Sequence, residues 1–290
     1  MARTACFALL LGVTLALFWT PVSLLVRFAF QQEHYSHIIL MPLISGGLFY
    51  LQRRWIFSRV ETRWWAGFGL LGAGSLVYFL GQRYSSSASQ NDQLSNAIFA
   101  VVVMWIGAFV LCYGFRAFRR GLSPLLFLAL MIPIPDFLLN RIVAWLVVGS
   151  AEVSYALLEL LGVPFLRTGF IFSFPGFTIE IAKECSGIRS SLALLVVGLL
   201  AGHLFLRSAW AKVVLIVVTL PILIIKNGIR IVTLSLLSVY VDPRFLTGSL
   251  HHQGGFVFFV IGLMLLIPLI RLLQTFEAKW RIPAASGAHD

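Results

Sequence analysis

Acidic side chains are scarce in this 290-residue chain: 11 Asp and Glu stand against 22 Lys and Arg, and charged residues of either sign make up only 11 % of it. With 59 % hydrophobic residues and a mean hydropathy of +0.93, that shortage excludes an ordinary soluble domain, in which about a quarter of the residues carry charge. Cysteine is nearly missing as well. Cys6, Cys112 and Cys185 are odd in number and the first two lie in apolar runs, which argues against a disulfide framework, and no C-x-x-C pair is present for thiol exchange. No H-E-x-x-H occurs, and His34 and His37, three apart at a loop boundary, make a poor start for a metal site. Neither a metal nor a cofactor is therefore expected. The net charge of +11 is not laid out as a basic stripe interleaved with aromatics, so nucleic acid is not an expected partner.

Long apolar runs fill the chain instead, and they predict an all-α polytopic membrane protein in a lipid bilayer. Residues 5–30 form the first run, too long for a signal-peptide core and without a cleavage site, so it reads as a retained anchor. Further spans are expected at 37–51, 64–81, 97–115, 185–205, 213–240 and 251–270. Gly67, Gly69, Gly72 and Gly74 give the third of these runs a small-residue face for close helix packing. The middle is ambiguous. Residues 122–134 are too few for a bilayer core of about 30 Å, while 137–161 are enough but carry Arg141, Glu152 and Glu159, which suits a helix lying on the surface equally well. One crossing between Arg120 and Arg167 puts Cys185 outside, and two put it in the cytoplasm.

Basic residues decide the orientation. Arg3, the four from Arg53 to Arg63, Arg116, Arg119, Arg120, Arg207, Lys212, Arg271, Lys279 and Arg281 are more than half of the 22 Lys and Arg, and all fall on one side of an eight-span scheme with both termini inside. Residues 277–290 read as a disordered cytoplasmic tail after a single transmembrane domain over 1–276. Ahead of Cys185, residues 165–181 alternate in the strand sense around Pro175-Gly176. They predict a short β-hairpin on the external surface, with an irregular apolar loop as the alternative.

Chemistry is concentrated at Lys183-Glu184-Cys185-Ser186-Gly187-Ile188-Arg189, where a polar turn meets the apolar run that follows. A thiol at a helix N-terminus is shifted toward thiolate by the unpaired N–H groups there, and a thiolate is a nucleophile. Topology brings Arg230, near the outer end of an outgoing helix, and His251, at the start of the last ingoing one, to the same depth as Cys185. Imidazole can take and return a proton near neutral pH, and a permanent guanidinium charge can stabilise a thiolate or an oxyanion. The bland alternatives are that Arg230 snorkels to headgroups or pairs with Glu184 or Asp242, and that His251 and His252 are interfacial polar residues. Asn227, one turn before Arg230, either orients the guanidinium or bonds a neighbouring helix, and Arg189 is a rival partner for the thiolate.

Glu184-Cys185-Ser186-Gly187-Ile188-Arg189-Ser190, then Asn227-Gly228-Ile229-Arg230, then His251 with Gly255-Phe256-Val257-Phe258-Phe259, resembles the exosortase and archaeosortase family. The early Tyr35-Ser36-His37, with Leu40 and Pro42, looks like that family's N-terminal pattern. The resemblance implies a membrane cysteine protease or transpeptidase with Cys185 as nucleophile, Arg230 as electrostatic helper and His251 as general base. His252 is the neighbouring alternative base, Glu184, Ser186, Asn227, Arg189 and His37 are supporting residues, and Phe256 stands where the family commonly has Trp. It implies as partners membrane-anchored proteins whose C-terminal tag has a short motif, a transmembrane helix and a basic tail, cut on the outer face of the cytoplasmic membrane. A transporter or channel with an intramembrane Arg and His is the competing class, and it should survive Cys185→Ala.

Overall fold

The computed structural model describes residues 2–31, 33–58, 60–61, 64–83, 88–242, 244 and 255–279. It is helical apart from one small sheet: α1 (Ala2–Leu17), α2 (Trp19–Gln31), a 3₁₀ turn (Glu33–Ile39), α3 (Leu40–Ile56), α4 (Trp64–Arg83), α5 (Gln90–Arg120), α6 (Leu122–Ala129) and α7 (Asp136–Leu160). After these come β1 (Leu166–Thr168), β2 (Ile171–Phe174), β3 (Phe177–Glu180), a second 3₁₀ turn (Lys183–Ser186), α8 (Ile188–Phe205), α9 (Ala209–Tyr240) and α10 (Gly255–Lys279). Among the described residues six helices, α4, α5 and α7 to α10, are long and apolar enough to cross a membrane, and α1 with α2 makes a seventh if that bent pair is one span. The expected count was about eight. The two counts are close, and the expected span that is not among the seven is α3, whose 17 residues reach about 26 Å.

The middle of the chain resolves by length. Residues 122–134 hold only the eight-residue α6, whereas α7 has 25 residues and the length and composition of a span. Its polar residues are occupied near its far end. Arg167 on β1 forms a two-bonded pair with Glu152, at 3.0 and 2.5 Å, and lies 5.1 Å from the centre of the Tyr155 ring. The Glu152 carboxylate holds the Arg167 guanidinium above its ordinary pKa. The first run also departs from expectation. Instead of one anchor over 5–30, two helices meet at Phe18 with a bend of 78°, and Pro21 sits in the first turn of the second, where its missing N–H costs nothing.

Two compact units divide between Leu139 and Asn140. In the first, α4 packs along α5, and the glycine face is half used. A Cβ on Gly67 would come 2.6 Å from Leu111 Cα and one on Gly74 2.7 Å from Met104 Cγ, while Gly69 and Gly72 face open space. A polar cluster ties the 3₁₀ turn to the entry of α7. Buried Tyr35 donates to Asn91 Oδ1 at 2.6 Å, Asn91 Nδ2 donates to Asp136 Oδ1 and to the Ile134 carbonyl, and Asp92 accepts the Asp136 N–H. Burial first, and the Asp136 charge second, push the Tyr35 phenol up to about 12, so it stays a donor.

α5 is interrupted at Gly114, which has φ 82° and ψ 173°, a region open essentially to glycine alone. A Cβ there would run into the Glu61 backbone carbonyl, an atom with no rotamer to escape by. Gly114→Ala is therefore expected to cost roughly 3 kcal/mol or more, from strain and collision together, and to lower the melting temperature of the purified protein in detergent.

In the second unit, Leu194 of α8, Leu215 and Leu223 of α9, and Leu266, Ile270 and Leu273 of α10 share one apolar core. α10 runs three residues into the stretch expected to be a disordered tail, and its Glu277 has work there. Its carboxylate accepts the backbone N–H groups of Arg207 and Ser208 and the Ser208 hydroxyl, a negative charge set on the entry to α9. The sheet is antiparallel in the order β1-β2-β3. The expected hairpin is β2-β3 across Pro175-Gly176, and a further strand, β1, joins it through a turn at Gly169, whose φ is 64°.

Candidate active site

From β3 the chain passes through Ile181 and Ala182 into the second 3₁₀ turn, where the Cys185 N–H donates to the Ala182 carbonyl at 3.0 Å. Gly187 follows in the left-handed region at φ 62° and redirects the chain into α8, whose first hydrogen bond runs from the Ser191 N–H to the Gly187 carbonyl. The thiol was expected at the mouth of the helix. It lies on the turn before it, three residues ahead of Ile188, half-exposed, with Sγ 3.9 Å from the Glu180 carbonyl oxygen.

α9 holds this turn in place. Asn227 is fully buried, and its Nδ2 donates to the Cys185 carbonyl at 2.8 Å and to Ser150 Oγ of α7 at 2.9 Å. Of the two roles open to it in the sequence, bonding a neighbour is the one observed, and the neighbour includes the cysteine's own peptide group. Because a carbonyl cannot donate, the bond to Cys185 fixes which way the amide points. Asn227 Oδ1 then lies buried beside Gly187, without a hydrogen-bond partner among the described residues. Next to it Gly228 lets α9 approach α7 closely, since a Cβ there would come 2.5 Å from Val153 Cγ1. Arg230 is one turn further along α9 and 9 % exposed.

Sequence reasoning passed over Lys226. It is fully buried, and its ammonium donates to Ser190 Oγ at 2.5 Å and Ser191 Oγ at 3.4 Å, both in the first turn of α8. Ser190 passes the restraint on by donating to the Gly187 carbonyl at 3.1 Å. Lys226, Asn227 and Arg230 thus fall on a single turn of α9, with Lys226 bonded to the first turn of α8 and Asn227 to the Cys185 carbonyl. A buried lysine is costly in a membrane helix and marks a functional position by default. The signal was available: a Lys in the interior of an apolar run, too far from either end to reach headgroups.

A family model described as transmembrane exosortase matches residues 29–268. The chain belongs to that family. No curated protein and no solved structure matches it.

In this exosortase the remaining expected residues fall as follows. Ser186 is buried, and its hydroxyl has no hydrogen-bond partner among the described residues, so it and Asn227 Oδ1 leave two polar atoms unsatisfied on either side of the Gly187 bend. Arg189 is exposed on α8. His37 is half-buried in the 3₁₀ turn of the first unit. The Glu184 side chain, His251 and His252 lie outside the described residues. Among the described residues no group of three or more His, Cys, Asp and Glu is placed to hold a metal ion.

Proposed function

We propose that this exosortase is a membrane-embedded cysteine peptidase or transpeptidase that cuts the C-terminal sorting tag of exported proteins on the outer side of the membrane. The hydrogen bond from Asn227 to the Cys185 carbonyl carries the reading, because it ties a half-exposed thiol to the helix turn that bears Arg230. Cys185 attacks the carbonyl carbon of the scissile peptide, and the bond to nitrogen breaks as a thioester forms. His251 takes the thiol proton and returns it to the leaving amine, while the fixed charge of Arg230 stabilises the oxyanion. Water or an amine then attacks the thioester, giving a free acid or a new amide and regenerating the thiol. His252, one position on, is the alternative base.

Orientation supports an external site. α6 is too short to span and α7 is long enough, a length pattern that supports one crossing between Arg120 and Arg167 and, with the Lys and Arg bias, a Cys185 opposite the basic loops. The substrate's own helix would anchor it in the bilayer, with its motif held at the surface near the sheet.

The test uses a variant whose only thiol is Cys185, with Cys6 and Cys112 replaced by Ser and Ala. It is co-expressed with exported proteins whose tails have a short motif, an apolar helix and a basic end. An impermeant maleimide added to intact cells is expected to label Cys185 and to stop the shortening of those proteins. Shortening that continues after complete labelling of Cys185 overturns the reading.

A further inference from the structure

We propose that the outer edge of β3 is the docking strand for the substrate, which adds to the sheet as an extended fourth strand and is thereby delivered to Cys185. The proposal rests on the peptidase reading above and specifies how that site takes its peptide.

The register decides which groups face outward. Phe174 and Phe177 close the two-residue turn, Phe172 pairs with Ile179, and the Ile181 N–H donates to the Phe170 carbonyl at 2.9 Å. In an antiparallel ladder hydrogen-bonded pairs alternate with non-bonded ones. Phe177, Ile179 and Ile181 therefore turn their backbone groups toward β2, while Thr178 and Glu180 turn theirs away from it. No strand lies beyond β3 among the described residues, and the side chains of Thr178 and Glu180 are both exposed.

The sulfur stands in the row a fourth strand would occupy. The Glu180 carbonyl points out of that free edge, and Cys185 Sγ lies 3.9 Å from its oxygen, while a neighbouring strand runs about 4.8 Å away. The Ala182 N–H already uses the Glu180 carbonyl at 3.0 Å, which ends the ladder there. Among the described residues, what remains open is the Thr178 N–H, the Thr178 carbonyl and the Glu180 N–H. One substrate residue can exchange both bonds with Thr178, and about two residues along its backbone meets the sulfur. Strand addition of this kind draws affinity from backbone bonds and specificity from alternate side chains, which suits an enzyme that must hold a flexible tail extended through a scissile bond.

Two experiments test this with the same co-expressed tailed proteins. Thr178→Pro removes the outward N–H and is compatible with an edge strand, because the β2 ladder does not use that group. Shortening is expected to slow at least tenfold, while maleimide still labels Cys185 and the melting temperature shows a folded protein. Unchanged shortening overturns the proposal. Should Thr178→Pro misfold, the second experiment decides alone: Thr178→Cys, in a chain with its own three cysteines replaced, is oxidised against substrates carrying single cysteines along the motif. Disulfides are expected at every second substrate position. Disulfides at consecutive positions, or none, overturn the proposal. If the wild type shortens none of these proteins, the peptidase reading fails first and the docking strand with it. If it shortens them and both edge results are negative, only the docking strand fails.

Discussion

Cys185→Ala is expected to lower cleavage of a tailed substrate by about 10^4-fold or more, on the scale lost when a covalent nucleophile is removed from an enzyme of this kind. Stability should hardly change. The thiol is half-exposed, its contact with the Glu180 carbonyl at 3.9 Å is long and weak, and the bond that fixes the turn is made by the Cys185 carbonyl, which alanine keeps. Cleavage rate and melting temperature measured on the same purified variant separate the two effects. Loss of both would make Cys185 a structural residue. Retention of activity would leave the buried Lys226 and Arg230 to a transporter, whose flux does not depend on a nucleophile.

Gly187→Ala comes second, with an expected loss of activity on the order of 10²-fold and of stability by about 2–4 kcal/mol. At φ 62° an alanine is strained, and its Cβ would run into Asn227 Oδ1. Asn227 has nowhere to retreat, since it is fully buried and its Nδ2 is committed to both Cys185 and Ser150. Something has to give. Either the turn moves or the amide swings, and each releases the Cys185 carbonyl and shifts the sulfur from its place beside β3. Urea unfolding of the detergent-solubilised protein and the cleavage rate are the measurements. An active, stable Gly187→Ala would show that the Asn227 bond does not position the thiol.

The apolar runs betrayed the spans because a bilayer imposes length and hydrophobicity on whatever crosses it, and α5, α9 and α10 lie where the runs lie. The bend at Phe18 was not legible. Apolar residues continue through it, and Pro21 reads alike as a kink within one helix or a first-turn residue of the next. Residues 166–168 lay within the predicted alternation, but the turn at Gly169 that makes them a separate strand, β1, was missed, and the tie of β1 to α7 through Arg167 and Glu152 joins positions 15 apart in different elements. The motif marked Cys185, Asn227 and Arg230, but the bond between Asn227 and the Cys185 carbonyl spans 42 positions and depends on how α9 is rotated. Lys226 escaped for the same reason. Its partners Ser190 and Ser191 belong to another helix, and nothing local to Lys226 points to them.

The carboxylate of Glu277 grips the start of α9 from the last turns of α10, so these two helices are joined at one end like the arms of tongs. The turn carrying Lys226, Asn227 and Arg230 begins 17 residues along α9 from its first residue, about 26 Å from that joint. Arms riveted there can spread only at their free tips. Any separation of α9 from α10 would thus be smallest at Glu277 and largest toward the turn of Lys226, Asn227 and Arg230.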